Sequence, residues 1–245
     1  MAGIGLVTEA ELAEILDLTI ETVRKYTQEQ KIPSIEMPNG EHRYYLDAVV
    51  FVLTGELPFY RKSPLKTYSY QDYLEFPDEY GYRFEILDGK LIRTPSPSVA
   101  HQRVTARLVR ILDDYFRKID PRGEIFPGPL DVSFHETTVT KPDIIYVSGQ
   151  QKSIIKDTRI DGAPNLIVEV TSKATRTIDE FKRLQLYLRE GVLHYWLVDF
   201  EVRSVLCFAL RKDKYAVVAM GKDDDVIEHP DFASLVIPLH GLWSN

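Results

Sequence analysis

The chain has 245 residues, 44% of them hydrophobic and 27% charged, room for one large domain or a small domain plus a medium one. Its only cysteine, Cys207, excludes a disulfide framework and a cysteine-based metal site, and a reducing cytoplasm suits such a chain. The formal net charge of −7 excludes a uniformly basic phosphate-binding surface, and no stretch approaches the length of a membrane span.

Residues 6–53 read as a compact helical unit. Thr8 is placed to cap a helix, and Glu11 three residues later completes a capping box; Leu12, Ile15 and Leu16 supply its apolar face. After a short turn at 17–19, Thr19 starts a second helix carrying Ile20, Val23 and Tyr26. Asn39-Gly40, between Ile35 and Tyr45, is a hairpin turn signal and predicts a small wing, followed by a third short helix over 47–53. Gly55, Pro58, Ser63 and Pro64 mark a linker, taken as 56–68, between a domain over 1–55 and another over 69–245.

In the second domain, 84–92 reads as strand, Asp-Gly turn and strand. Val104, Leu108, Ile111, Leu112, Tyr115 and Phe116 keep helical spacing over 99–118. Strands are expected around 125–134, 143–147 and 166–171. A helix over 178–189 is closed by Gly191, a buried strand follows at 195–198, and a hairpin pairs 205–210 with 215–219. The expected class is α/β, a mixed sheet flanked by helices, with a small N-terminal winged helix-turn-helix.

Two carboxylates stand out. Glu169 lies in Leu166-Ile167-Val168-Glu169-Val170-Thr171, a run typical of a strand buried on both faces, where an unpaired charge is costly. Asp143, 26 residues earlier, opens the apolar run Ile144-Ile145-Tyr146-Val147. Two acidic side chains on neighbouring strands make an oxygen-rich site suited to Mg²⁺ or Mn²⁺. The competing reading of Glu169 is a structural salt bridge with Arg183, and that of Asp143 is a turn cap.

Thr22-Val23-Arg24-Lys25-Tyr26, Ile32-Pro33 and His42-Arg43-Tyr44 together resemble the MerR/excisionase type of winged helix-turn-helix. That resemblance implies DNA binding, with Arg24 and Lys25 on the recognition helix and Arg43 and Tyr44 on the wing. Ten acidic residues against seven basic ones in residues 1–66 give it little electrostatic support, and the alternative is a packing cap on the larger domain.

A longer ordered set runs through the second domain: Glu85-x-x-Asp88-Gly89, Ser96-Pro97-Ser98 with His101, Pro142-Asp143, Glu169-Val170-x-Ser172, Asp179, Tyr187, Gly191-Val192 and Tyr195 to Asp199. It resembles the restriction-endonuclease-like family of the PD-(D/E)XK nuclease superfamily. The resemblance implies a Mg²⁺- or Mn²⁺-dependent DNA endonuclease, a homodimer, with Asp143, Glu169 and the Val170 carbonyl on the metal and Glu85 and His101 beside it. The superfamily's lysine two residues after the glutamate is replaced here by Thr171. In the family that lysine moves to the following helix, at the position that is Arg183 here; Lys182 beside it is preferred as the cation because a lysine can also orient the water, and Lys173 is the third candidate. The alternative function is a non-catalytic DNA-binding or regulatory protein whose nuclease-derived domain serves dimerisation.

Overall fold

The computed structural model describes residues 6–37, 39–46, 49, 52–53, 67–76, 79–171 and 178–244. Strand β1 (Leu6–Thr8) leads into α1 (Glu9–Ile15), where the Thr8–Glu11 capping box is present as expected. A turn with Asp17 in the left-handed region joins it to α2 (Ile20–Gln28), capped by Thr19. Strands β2 (Ile35–Glu36) and β3 (His42–Tyr45) form the expected hairpin about Asn39 and Gly40, whose φ of 79° favours glycine. β1 adds to the other edge of β3, giving the order β1-β3-β2. Leu12, Val23, Ile32, Tyr44 and Val49 bury one another in this unit, while Ile35 and Tyr45 turn outward into the core of the larger domain. The helix expected over 47–53 and the linker over 56–68 lie mostly outside the described residues.

The larger domain begins with α3 (Tyr70–Leu74), the hairpin β4 (Tyr82–Leu87) and β5 (Lys90–Pro95), and the long α4 (Val99–Ile119). Then follow β6 (Glu124–Pro127), β7 (Asp131–His135), β8 (Thr138–Thr140), β9 (Ile144–Val147), β10 (Arg159–Asp161) and β11 (Leu166–Thr171). Helix α5 (Ile178–Arg189) precedes β12 (His194–Asp199), β13 (Ser204–Arg211) and β14 (Lys214–Lys222), and the chain closes with β15 (Val226–Glu228), β16 (Val236–Pro238) and α6 (His240–Trp243).

Two sheets organise β4 to β14, while β15 and β16 pair with each other. A six-stranded mixed sheet has the order β14-β13-β12-β11-β9-β6, with β11 and β12 parallel and the other neighbours antiparallel. A five-stranded sheet has the order β10-β7-β8-β4-β5. The strand expected over 125–134 is therefore two strands in different sheets. The chain turns at Gly128, where a Cβ would lie 2.6 Å from the Pro142 carbonyl oxygen, so only glycine fits the approach.

Alternation along β11 sorts its side chains onto two faces. Leu166, Val168 and Val170 join Val104, Leu108, Leu112 and Phe116 of α4, spaced four apart on one helical stripe. Each such buried side chain contributes about 1.5–3 kcal/mol. Ile167 faces the other way, against Leu184 and Tyr187 of α5. Glu169 shares the parity of Ile167, so its carboxylate enters the α5 side of the sheet.

Candidate active site

The antiparallel register of β9 with β11 ends at Ile144 opposite Val168. The next step along each strand is Asp143 and Glu169. Both are buried, at 3% and 4% exposure, and Glu85 on β4 is wholly buried beside them. Three carboxylates thus meet at one end of the sheet interface, where the charged form is costly unless each finds donors.

Asp143 has three. Its Oδ2 accepts the Val170 N–H at 2.8 Å and lies 3.0 Å from His101 Nε2; its Oδ1 is 3.3 Å from Arg83 Nη1. Ser98 caps α4 and so fixes the first turn on which His101 sits. Burial opposes ionisation of Asp143, yet the hydrogen bond from His101, helped by Arg83 and the Val170 N–H, holds its carboxyl below the usual carboxylate range.

Arg183 is the hub of the other two. Its guanidinium forks onto both oxygens of Glu85 and also reaches Glu169 Oε1 at 3.1 Å. The Lys141 N–H adds a 2.6 Å bond to Glu85, and Tyr187, one helical turn beyond Arg183, donates its hydroxyl to Glu169 at 2.7 Å. Burial favours the protonated form of Glu85, but Arg183 overcomes it and holds that carboxyl low. Glu169 ends up on the other side of the balance. Burial, with Asp143 and Glu85 nearby, pushes it up to about 7 against the pull of Arg183.

Asp143 also lines a cleft of about 600 Å³, whose walls include Arg83, Lys141, Tyr73, Phe76 and Tyr82. The cleft puts two cations and several rings next to Asp143, while Arg183 and Glu169 do not line it.

The structure thus brings together Asp143, Glu169, Glu85, His101 and Arg183 from positions up to 98 residues apart. Of the two neighbouring cations on α5, Arg183 is turned onto the carboxylates; Lys182, about 100° around the helix, is half-buried. Lys173 lies outside the described residues, and Thr171, at the superfamily's lysine position, is buried. Arg83 and Lys141 were not singled out in the sequence. Arg83 carried one signal, its period-2 spacing from Glu85 on one strand.

In the N-terminal unit, Arg24 is 60% exposed and paired with Glu9 at 2.9 Å, while Arg43 is paired with Glu41 at 2.8 Å. Lys25 is exposed. Tyr44 cannot take the surface role the resemblance implied. It is fully buried and hydrogen-bonded through its hydroxyl to Thr27 at 2.8 Å, so it supports the hairpin from inside.

A mixed sheet flanked by helices, with acidic side chains converging at the ends of adjacent strands, is the architecture of the restriction-endonuclease-like nucleases. The chain belongs to the Uma2 family, described as putative restriction endonuclease, which matches residues 70–240. Among solved structures it is similar to a protein described as a putative nuclease belonging to DUF820 from Anabaena variabilis ATCC 29413, at 20% identity and a TM-score of 0.58, over 71% of this chain and 97% of that one. No curated protein sequence matches the chain. Among the described residues, no helix is long and apolar enough to cross a membrane.

Proposed function

We propose that the protein is a divalent-metal-dependent DNA endonuclease. The observation that carries this reading is the meeting of Asp143 and Glu169 one step beyond a shared strand register, next to a cleft lined by Arg83 and Lys141. The donors suit Mg²⁺ or Mn²⁺. Asp143, Glu169 and the Val170 carbonyl are hard oxygen donors, and burial, with Asp143 and Glu85 nearby, raises Glu169 in a way that a cation held there would relieve. When bound, such an ion polarises the scissile phosphate and acidifies a water.

The chain's own residues do the rest. Arg83 and Lys141 hold the phosphate backbone in the cleft, and Tyr73, Phe76 and Tyr82 offer faces on which unpaired bases stack. His101 and the Val170 N–H keep Asp143 ionised and aimed. Tyr187 and Arg183 fix the orientation of Glu169.

Because Glu169 carries its proton up to about pH 7, that proton must leave before the group ligates a metal. Affinity for Mg²⁺ should therefore rise with pH below 7, by up to about tenfold per unit, and level off above it. Nicking of supercoiled plasmid at graded Mg²⁺ and Mn²⁺ between pH 5.5 and 8.5 tests both the activity and its linkage. Wild type that cuts no duplex or single strand at any pH or metal concentration sinks the catalytic reading.

One observation favours a second reading, a non-catalytic DNA-binding protein whose nuclease-derived domain pairs two copies. Arg183 already neutralises Glu85 and bridges to Glu169, as a structural ion pair would. In both readings the N-terminal unit is taken as a winged helix-turn-helix on duplex DNA. Arg24→Ala and Arg43→Ala should each lower the salt slope of duplex binding by about one unit. Fluorescence anisotropy across a salt series is the measurement. A slope unchanged in the double variant makes this unit a packing module, in keeping with Ile35 and Tyr45 in the shared core.

A further inference from the structure

A second cluster lies on the opposite face of the six-stranded sheet from Glu169. His194 opens β12 and shares the parity of Trp196 and Val198, which pack toward α4. His229 and Asp231 come from the tight loop between β15 and β16. One ligand atom from each of His194, His229 and Asp231 lies within 4.8 Å of the others, and His194 Nδ1 is 3.8 Å from Asp231 Oδ2.

Core packing does not account for this arrangement. His229 is 4% exposed, stacked between Trp196 and Phe232, and its Nε2 has no hydrogen-bond partner. His194 Nδ1 is likewise buried and unpartnered. Leaving one such group unsatisfied is costly, and here two meet at one point beside a carboxylate. We propose that His194 Nδ1, His229 Nε2 and Asp231 Oδ2 form a site for one transition-metal ion of the Zn²⁺ type. Two imidazoles and one carboxylate select Zn²⁺ over Mg²⁺, since nitrogen donors suit the softer ion.

Zinc bonds of about 2.0–2.1 Å put tetrahedral ligands about 3.3 Å apart, so groups now within 4.8 Å of one another close in by up to about 1.5 Å. Burial keeps both imidazoles neutral in ordinary buffers, each pushed down to about 4. Binding through His229 Nε2 requires the proton on Nδ1. The 3.2 Å bond that Nδ1 accepts from the Asp231 N–H is then given up, and the N–H of the exposed Asp231 turns to water. Arg211 opposes the ion, with its Nη2 2.6 Å from each oxygen of Asp231; it is half-exposed and free to swing outward. The bound ion clips the loop at 229–231 to the start of β12, with its fourth position open to water.

The test uses the untagged full-length chain, stripped of metal and titrated with Zn²⁺ against a chromophoric chelator, with Co²⁺ absorption reporting geometry. One Zn²⁺ should bind per chain in wild type and in Asp143→Ala alike. His194→Gln and His229→Gln should weaken binding roughly tenfold or more, since even groups that only orient ligands are worth 10–100-fold. Arg211→Ala should bind more tightly, an effect that misfolding cannot mimic. Wild type that binds no Zn²⁺, equal affinity in His194→Gln, loss of the ion in Asp143→Ala, or no gain in Arg211→Ala each overturns the site.

Discussion

Arg183→Ala should destabilise the protein by about 3–5 kcal/mol, the usual cost of removing one partner from a buried ion pair. Glu85 has no exposed surface, and Arg183 supplies it with two hydrogen bonds and the larger share of the guanidinium charge that holds it ionised, Arg83 giving the rest. Without that cation, Glu85, Glu169 and Asp143 would share one dry pocket with only Arg83 and His101 to offset them. The loss should be largest at high pH and shrink in acid, where the stranded carboxylates take up protons.

The two glutamates carry opposite signs in this linkage. Glu85 is held low in the fold, so its contribution is present above the unfolded pKa and is lost as pH falls through the lowered value. Glu169 is held up to about 7, so its contribution is present below about 4.5 and is lost as pH rises through 7. Glu169→Gln should therefore melt above wild type at pH 8, with the gap closing by about pH 4.5. Thermal and urea melts of both variants across pH 4.5–8.5 are decisive. An Arg183→Ala protein as stable as wild type would mean that the guanidinium does not neutralise the pocket.

What the sequence disclosed, and what it did not, follows from where the information lies along the chain. β11 and the end of α5 were legible because each is a long local pattern, an unbroken aliphatic run in one and a helix stopped by Gly191 in the other. Asp143 and Glu169 stood out because a charge inside or at the mouth of such a run demands a reason. Strands of three residues, such as β1, β8 and β10, were silent, since three positions cannot display an alternation. The break at Gly128 depends on the approach of Pro142 and Asp143, contacts that no local signal records.

The pairing of Arg183 with Glu85 spans 98 residues and was equally invisible. The family resemblance pointed to the position of Arg183, with Lys182 and Lys173 as the other candidates, and it is Arg183 that tertiary packing turns onto the carboxylates. His194 and His229, 35 positions apart by their numbers, gave no spacing signal of a metal site.

Asp143→Ala should abolish cleavage, a loss on the order of a thousandfold or more if the side chain both ligates the ion and orders its neighbours. Asp143→Asn separates the two roles. Its amide oxygen still accepts the Val170 N–H and its shape is kept, so the β9–β11 junction survives while the anionic charge is gone. Both variants should bind duplex DNA in chelator as well as wild type or slightly better, because an unoccupied carboxylate repels phosphate. His101→Ala should be milder, since Asp143 keeps the Val170 N–H and Arg83. Arg183→Lys tests the family difference directly. A lysine there keeps the positive charge but gives up the fork onto Glu85, so it trades stability for a cation that also orients water. Plasmid nicking and anisotropy on the same preparations give both readouts. Cleavage that persists in Asp143→Asn would mean a different nucleophile-activating site or a contaminating nuclease. Binding that fails together with cleavage would make Asp143 a structural residue of the strand junction.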